Sequence, residues 1–133
     1  MALLAAARLA RDQATLEAQR PEVQWSVAGA TEWVPVPVRQ EVRVGDRVRT
    51  STTGRARLVY FEGSVTDVGP GTGVLVQRLE ASPEGSLTMR LFQAVGTTLS
   101  RVRQLVDPAA GFEIETPAAT AFVRGTTPRV QVG

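Results

Sequence analysis

The chain has 133 residues, of which 43% are hydrophobic and only 5% aromatic, so it is long enough for one domain with a core made mostly of valine, leucine and alanine. All 15 basic residues are arginine, and 13 acidic residues leave a net charge of +2. The chain has no cysteine and no histidine, which excludes disulfides, zinc sites of the Cys/His kind and nucleophiles activated by histidine.

The first segment, residues 1–20, predicts an N-terminal helix. Residues 2–19 are strong helix formers without glycine or proline, and Pro21 ends the pattern. No stretch reaches the roughly 18 to 20 apolar residues that a membrane-spanning helix needs. Two interpretations stay open: a helix packed on the domain, or the outer end of a membrane anchor whose inner part is not present in this chain.

Residues 21–133 are predicted to form one β domain, because the hydrophobic period changes to two after Pro21. Val23, Trp25 and Val27 indicate a half-buried strand. The stretch WVPVPVRQ then has valines alternating with prolines, which cannot donate to a strand ladder. It predicts an edge strand or extended connector with three residues on one face: Val34, Val36 and Val38.

Short alternating segments continue to residue 81, separated by turns at Gly45-Asp46, Glu62-Gly63 and GPGTG, residues 69–73. Turns at this spacing favour an all-β antiparallel sandwich or a solenoid-like roll of short strands. The glycine-rich loop lacks the Lys-Ser/Thr pair of a phosphate-binding loop, so it predicts a β-turn.

The C-terminal third continues the pattern, with Leu87, Met89 and Leu91 on one strand face. Residues 95–106 fit a helix or a strand, and their paired threonines favour a strand. FEIET predicts a strand whose glutamates, Glu113 and Glu115, lie on its wet face rather than forming a catalytic pair. RVQVG predicts a final short strand.

No pattern points to an active site, a cofactor or a metal. The arginines are spread along the chain, whereas a nucleic-acid surface needs clustered positive charge, so no nucleic-acid partner is expected. Trp25 is expected in the core. Trp33 is either buried or exposed, and an exposed ring would suit stacking on a sugar or a peptide.

Two segments together resemble the FecR domain, a module of bacterial cell-surface signalling regulators. They are VRVGDRVRTSTTGRARLVYFEGSVTDVGPGT and FEIETPAATAFVRGT, within residues 38–132. The sequence departs from the family pattern at Glu62, where aspartate is usual, and at Thr127-Pro128. The positions that carry the resemblance, as turn residues, are Gly45, Asp46, Thr50, Glu62, Gly63, Ser64, Pro70, Thr72, Thr116, Pro117, Gly125 and Thr126.

The resemblance implies a non-enzymatic domain outside the cytoplasmic membrane, in the periplasm or at the cell surface, that receives or relays a signal through protein contact. Pairing of an edge strand with a partner or a second copy is the expected mode. The contact residues expected on this basis are Trp33, Val34, Val36, Val130 and Val132. Two alternatives are a self-assembling structural subunit of the cell surface and a glycan- or peptidoglycan-binding module that uses Trp33.

Overall fold

The computed structural model describes residues 13–60, 63–81, 87–101, 111–117, 120–123 and 129–132. These residues form strands, turns and extended connections, with no helix among them. The strands are β1 Gln13–Arg20, β2 Val23–Ser26, β3 Val34–Pro35, β4 Arg39–Arg43, β5 Arg47–Thr50, β6 Arg55–Tyr60, β7 Val65–Val68, β8 Gly73–Ala81, β9 Leu87–Arg101, β10 Gly111–Glu115, β11 Thr120–Val123 and β12 Arg129–Val132.

The strands form one sheet that curls into a half-barrel, in the order β3-β2-β5-β8-β9-β7-β6-β1-β4. Pairs along this path are antiparallel. Strands β10 and β12 add to β9, parallel and antiparallel respectively, and β11 pairs with β10. The predicted all-β, antiparallel class is therefore confirmed.

The predicted N-terminal helix is wrong for residues 13–20, which form β1 between β4 and β6. Helix propensities differ by only about 0.7 kcal/mol per residue among ordinary residues, so tertiary contacts override them. Ala14 and Leu16 are buried, whereas Thr15 and Glu17 are only partly buried, which is the alternation of a strand. Two hydrogen-bonded neighbours and this burial outweigh the local preference. Residues 1–12 lie outside the described part of the chain.

The core lies on the concave face of the sheet. It is made mostly of valine, leucine and alanine, as composition predicts, and its members alternate along strands, as Ala56, Leu58 and Tyr60 do on β6. Leu58 on β6 and Leu91 on β9 are fully buried. The remaining members are Ala14, Leu16, Val23, Val36, Val42, Val48, Ala56, Tyr60, Val68, Val74, Val76, Leu79, Met89 and Ile114.

The segment from Val34 to Val38 begins as an edge strand, as predicted, since β3 ends the path of the sheet. The prediction that its valines share one face is wrong: Val36 is 6% exposed, whereas Val34 and Val38 are 46% and 64% exposed. The chain crosses here between the two ends of the curled sheet. The Val36 amide donates to the Val23 carbonyl at 2.9 Å, and the Val38 carbonyl accepts from Ala18 at 2.8 Å. Only Val36 therefore reaches the core.

Strand β9 settles the ambiguous stretch in favour of a strand up to Arg101; residues 102–110 lie outside the described part. Its buried side shifts register at Gly96, from Leu91 and Gln93 to Thr98 and Ser100. Gly96 has φ +98°, and a Cβ there would collide with the backbone and side chain of Thr72. A glycine is therefore required for β9 to serve both halves of the sheet.

Candidate functional site

The Gly45-Asp46 turn carries a buried carboxylate. Asp46 is 4% exposed, and it accepts hydrogen bonds from the Trp25 indole Nε1 at 2.9 Å, the Ala28 amide at 2.9 Å and the Arg43 amide at 3.0 Å. These bonds tie β2 to the β4–β5 turn. Trp25 packs against the core, as expected, and its polar edge is satisfied by Asp46. Asp46 is thus occupied as a structural residue.

Thr50 and Thr72 form a second buried joint at the other end of β5. The Thr50 hydroxyl donates to the Gly69 carbonyl at 2.6 Å and accepts from the Thr72 amide at 3.0 Å. The Thr72 hydroxyl donates to the Pro70 carbonyl at 3.1 Å and accepts from the Thr97 amide at 3.0 Å. The predicted β-turn is present at residues 69–72, with Gly71 at φ +60°.

The remaining motif positions lie in turns or outside the described residues. Gly63 has φ +97° and donates to the Tyr60 carbonyl at 3.0 Å, and the buried Ser64 accepts from the Tyr60 amide through its own carbonyl. Thr116 and Pro117 directly follow β10. Three positions lie outside the described residues: Glu62, Gly125 and Thr126.

The predicted wet face of the FEIET strand is present. Glu113 pairs with Arg90, with 2.7 Å between Oε2 and the guanidinium, and Glu115 accepts from the Gln77 amide at 3.1 Å, while Ile114 is buried. The two glutamates therefore have separate partners. In the described part of the chain no cluster of three or more acidic side chains could hold a metal ion. None of the described segments is a helix able to span a membrane.

A surface groove lies beside Trp33. Its indole ring faces two guanidinium groups, with Arg49 at 4.1 Å and Arg47 at 4.8 Å from the ring centre. Arg47 also donates to the Ser26 hydroxyl at 3.2 Å and to the Ala30 carbonyl at 2.9 Å, and Arg49 donates to the Gln24 side chain at 2.7 Å. The three side chains thus form one fixed wall.

An apolar floor adjoins this wall, and we call the whole the outer groove. Strand register brings Arg47 opposite Leu75, and Leu75 opposite Phe92, so these residues share the face that points away from the core. Gly73 and Val95 extend the floor. The groove has a volume of about 530 Å³.

The charges of the wall are not neutralised by carboxylates of the described residues. Elsewhere Arg57 pairs with Asp67 at 2.7 Å, and Arg90 pairs with Glu113. Among the described residues, the partners of Arg47 and Arg49 are neutral hydrogen-bond acceptors and the Trp33 ring. Trp33 was a candidate contact residue from the sequence, but the rest of the groove was not, because only strand register places Arg47, Leu75 and Phe92 side by side.

Four strand edges also offer backbone hydrogen-bonding groups. Within the described residues β3, β4, β11 and β12 each pair on one side only. β3 has two residues, one of them Pro35, and β4 has exposed charges at Arg39, Glu41 and Arg43. β12 has four residues without proline, as the sequence predicts for RVQV.

Comparisons with protein-family models, with curated proteins and with solved structures found no match to this chain.

Proposed function

We propose that the chain is a non-catalytic FecR-like module of the bacterial envelope, outside the cytoplasm, that receives or relays a signal by protein contact. The observation that carries the contact is the β12 edge. Residues 129–132 pair with β9 on one side, and no strand of the described residues occupies the other. A partner strand added there would gain main-chain hydrogen bonds.

Two of the other edges, β3 and β4, are less suited to accept a strand, and the β11 edge carries none of the contact residues expected from sequence. Proteins protect edges with prolines, short strands and charged side chains. β3 contains a proline and has only two residues, and β4 has exposed charged side chains. β12 carries Gln131 in an exposed position and Val132 in a half-buried one. This leaves β12 as the preferred contact among the residues expected from sequence.

The FecR-like part of the proposal is supported by how the motif residues are used. Gly45, Asp46, Thr50 and Thr72 hold turns through buried hydrogen bonds. Residues that define a family through its fold are expected to hold turns in this way. The glycan alternative has less support, since Arg47 and Arg49 already stack on the Trp33 ring that a sugar would need.

Proline substitutions test the edge. Consecutive N–H groups of a strand point to opposite sides, so of R129P and V130P one removes an outward N–H and the other removes a bond to β9. Thermal melts identify the variant that has lost the outward N–H, because its melting temperature falls less than that of the variant that has lost a bond to β9. A photo-crosslinker attached to a cysteine at Gln131, unique in this cysteine-free chain, then reports on partners in the envelope.

We expect a discrete crosslink from position 131 that disappears in the outward proline variant, and none from a control cysteine at the exposed Arg55 on β6. A crosslink to the chain itself, with concentration-dependent dimers in sedimentation, would identify the partner as a second copy. A monomer at high concentration, with crosslinks unchanged by either proline, would contradict the proposal.

A further inference from the structure

We infer that the outer groove is a binding site for an extended acidic peptide, whose apolar side chain enters the groove and whose carboxylates pair with Arg47 and Arg49. The groove lies on β5, β8 and β9, whereas the edge proposed above is on β12. The inference therefore does not rest on the strand-edge contact, and either one can fail alone.

The floor of the groove suits an apolar anchor. Leu75 and Phe92 are partly exposed and Val95 is 47% exposed, on a face that points to solvent. A volume of about 530 Å³ lies within the usual range of about 300 to 1,000 Å³ for ligand sites. A single large side chain with its adjoining backbone fits a groove of this size.

Gly73 leaves the floor open although the fold does not need a glycine there. A Cβ at Gly73 would meet only the Val95 Cγ1 atom, at 3.8 Å, which is ordinary van der Waals contact, and its φ is not in the left-handed region. Glycine inside a strand weakens the strand and is typical of places where another backbone approaches. Gly73 lies opposite Arg49 in the pairing of β5 with β8, so the missing side chain widens the groove beside Arg49.

The wall supplies preorganised positive charge. Arg47 and Arg49 are held by neutral acceptors and by Trp33, so no carboxylate of the described residues competes for their guanidinium groups, which lose little freedom on binding. Guanidinium groups bind carboxylates through charge-assisted hydrogen bonds. Tryptophan and arginine are also the residues most enriched where binding energy concentrates.

Charge complementarity favours a peptide over a nucleic acid or a membrane. Those partners need a long basic track or patch. The groove has two arginines beside an apolar floor, in a chain with a net charge of +2. Two positive charges next to one apolar pocket match a segment in which acidic and apolar residues alternate.

The test uses nuclear magnetic resonance of the whole ¹⁵N-labelled chain. Its two tryptophans give two indole N–H signals, and Trp25 is an internal control because its N–H is bonded to Asp46. The probes are a short capped peptide alternating glutamate and phenylalanine, the same peptide with lysine for glutamate, and the same with glycine for phenylalanine. Anionic phosphatidylglycerol vesicles and a single-stranded oligonucleotide complete the set.

We expect the Glu/Phe peptide alone to shift the Trp33 signal, and about 1 M salt to weaken its binding by screening the charges. R49E is expected to reduce affinity about tenfold or more, and the matched charge reversal R55E to leave it unchanged. Arg49 is chosen over Arg47 because it is exposed and has a single side-chain hydrogen bond, to Gln24.

A second pair of variants tests the floor without reversing charge. G73V fills the groove with a residue that strands favour, and is expected to reduce affinity about tenfold while the melting temperature is kept. G111V makes the same change in β10, where an added Cβ meets no atom within 4 Å. This variant should bind the Glu/Phe peptide with unchanged affinity. No binding of any peptide, equal binding of the glycine-containing probe, indifference to G73V, or a Trp33 response confined to vesicles or oligonucleotide would each overturn the inference.

Discussion

The indole N–H of Trp25 donates to the Oδ2 atom of Asp46 at 2.9 Å, across 21 positions of sequence. The same oxygen accepts from the Arg43 amide, and Oδ1 accepts from the Ala28 amide. One buried side chain thus fixes the β4–β5 turn, the end of β2 and the orientation of a tryptophan.

Replacing Asp46 by alanine should therefore destabilise the protein strongly. Three donors would lose their acceptor in a buried place, and each unsatisfied buried group costs about 1 to 3 kcal/mol. With some access of water, we expect a loss of about 3 kcal/mol in the free energy of unfolding, measured by urea denaturation. E80Q, which removes an exposed ion pair with Arg78, should cost less than about 1 kcal/mol. Equal effects of the two substitutions would contradict the structural role of Asp46.

Three glycine-to-alanine variants should separate backbone strain from steric collision. Gly111 has neither feature, Gly29 has φ +79° with open space around it, and Gly96 has φ +98° and a collision with Thr72. G111A should be nearly neutral, and G29A should cost about 1 to 2 kcal/mol for the left-handed conformation. G96A should cost more than G29A, because Thr72 and its hydrogen bond to Thr97 must also move. Chemical denaturation of the three variants measures the order; a G96A variant as stable as G29A would show that β9 does not need its register shift.

The strand assignment of residues 13–20 also has an energetic consequence. Leu16 is 0% exposed on β1, so L16A should cost about 2 to 5 kcal/mol. V38A removes a similar apolar side chain that is 64% exposed and should change stability by less than about 0.5 kcal/mol. Thermal and urea melts of both variants compare them directly. A small effect of L16A would indicate that the N-terminal segment is not part of the core.

The sequence predicted the β class because alternating valines and leucines report directly which face of a strand is buried, as at Val48, Leu58 and Val74. It failed where a local preference competes with distant partners. Residues 13–20 read as a helix, since the strands that pair with them, β4 and β6, begin some 20 and 35 residues later. The turn role of Asp46 was foreseen, but its bond to Trp25 was not, because the bond depends on how β2 pairs with β5.

The outer groove was invisible for the same reason. Arg47, Leu75 and Phe92 become neighbours only when β5, β8 and β9 adopt one particular register. Each of these residues occupies an ordinary outward position of its own strand. Nothing in the sequence around any one of them indicates that it is part of a binding groove.

Strand β9 hydrogen-bonds to β8 along its first part and to β7 along its last, and among the described strands it is the one that pairs with both halves of the strand path. Once β8 has been synthesised and before Leu87 is added, the nascent chain therefore contains both halves but not the strand that pairs with both. Pairing of β7 and β8 with β9 must wait until Arg101 has emerged from the exit tunnel, so translation arrested before that point would leave these strand edges open to chaperones and to aggregation.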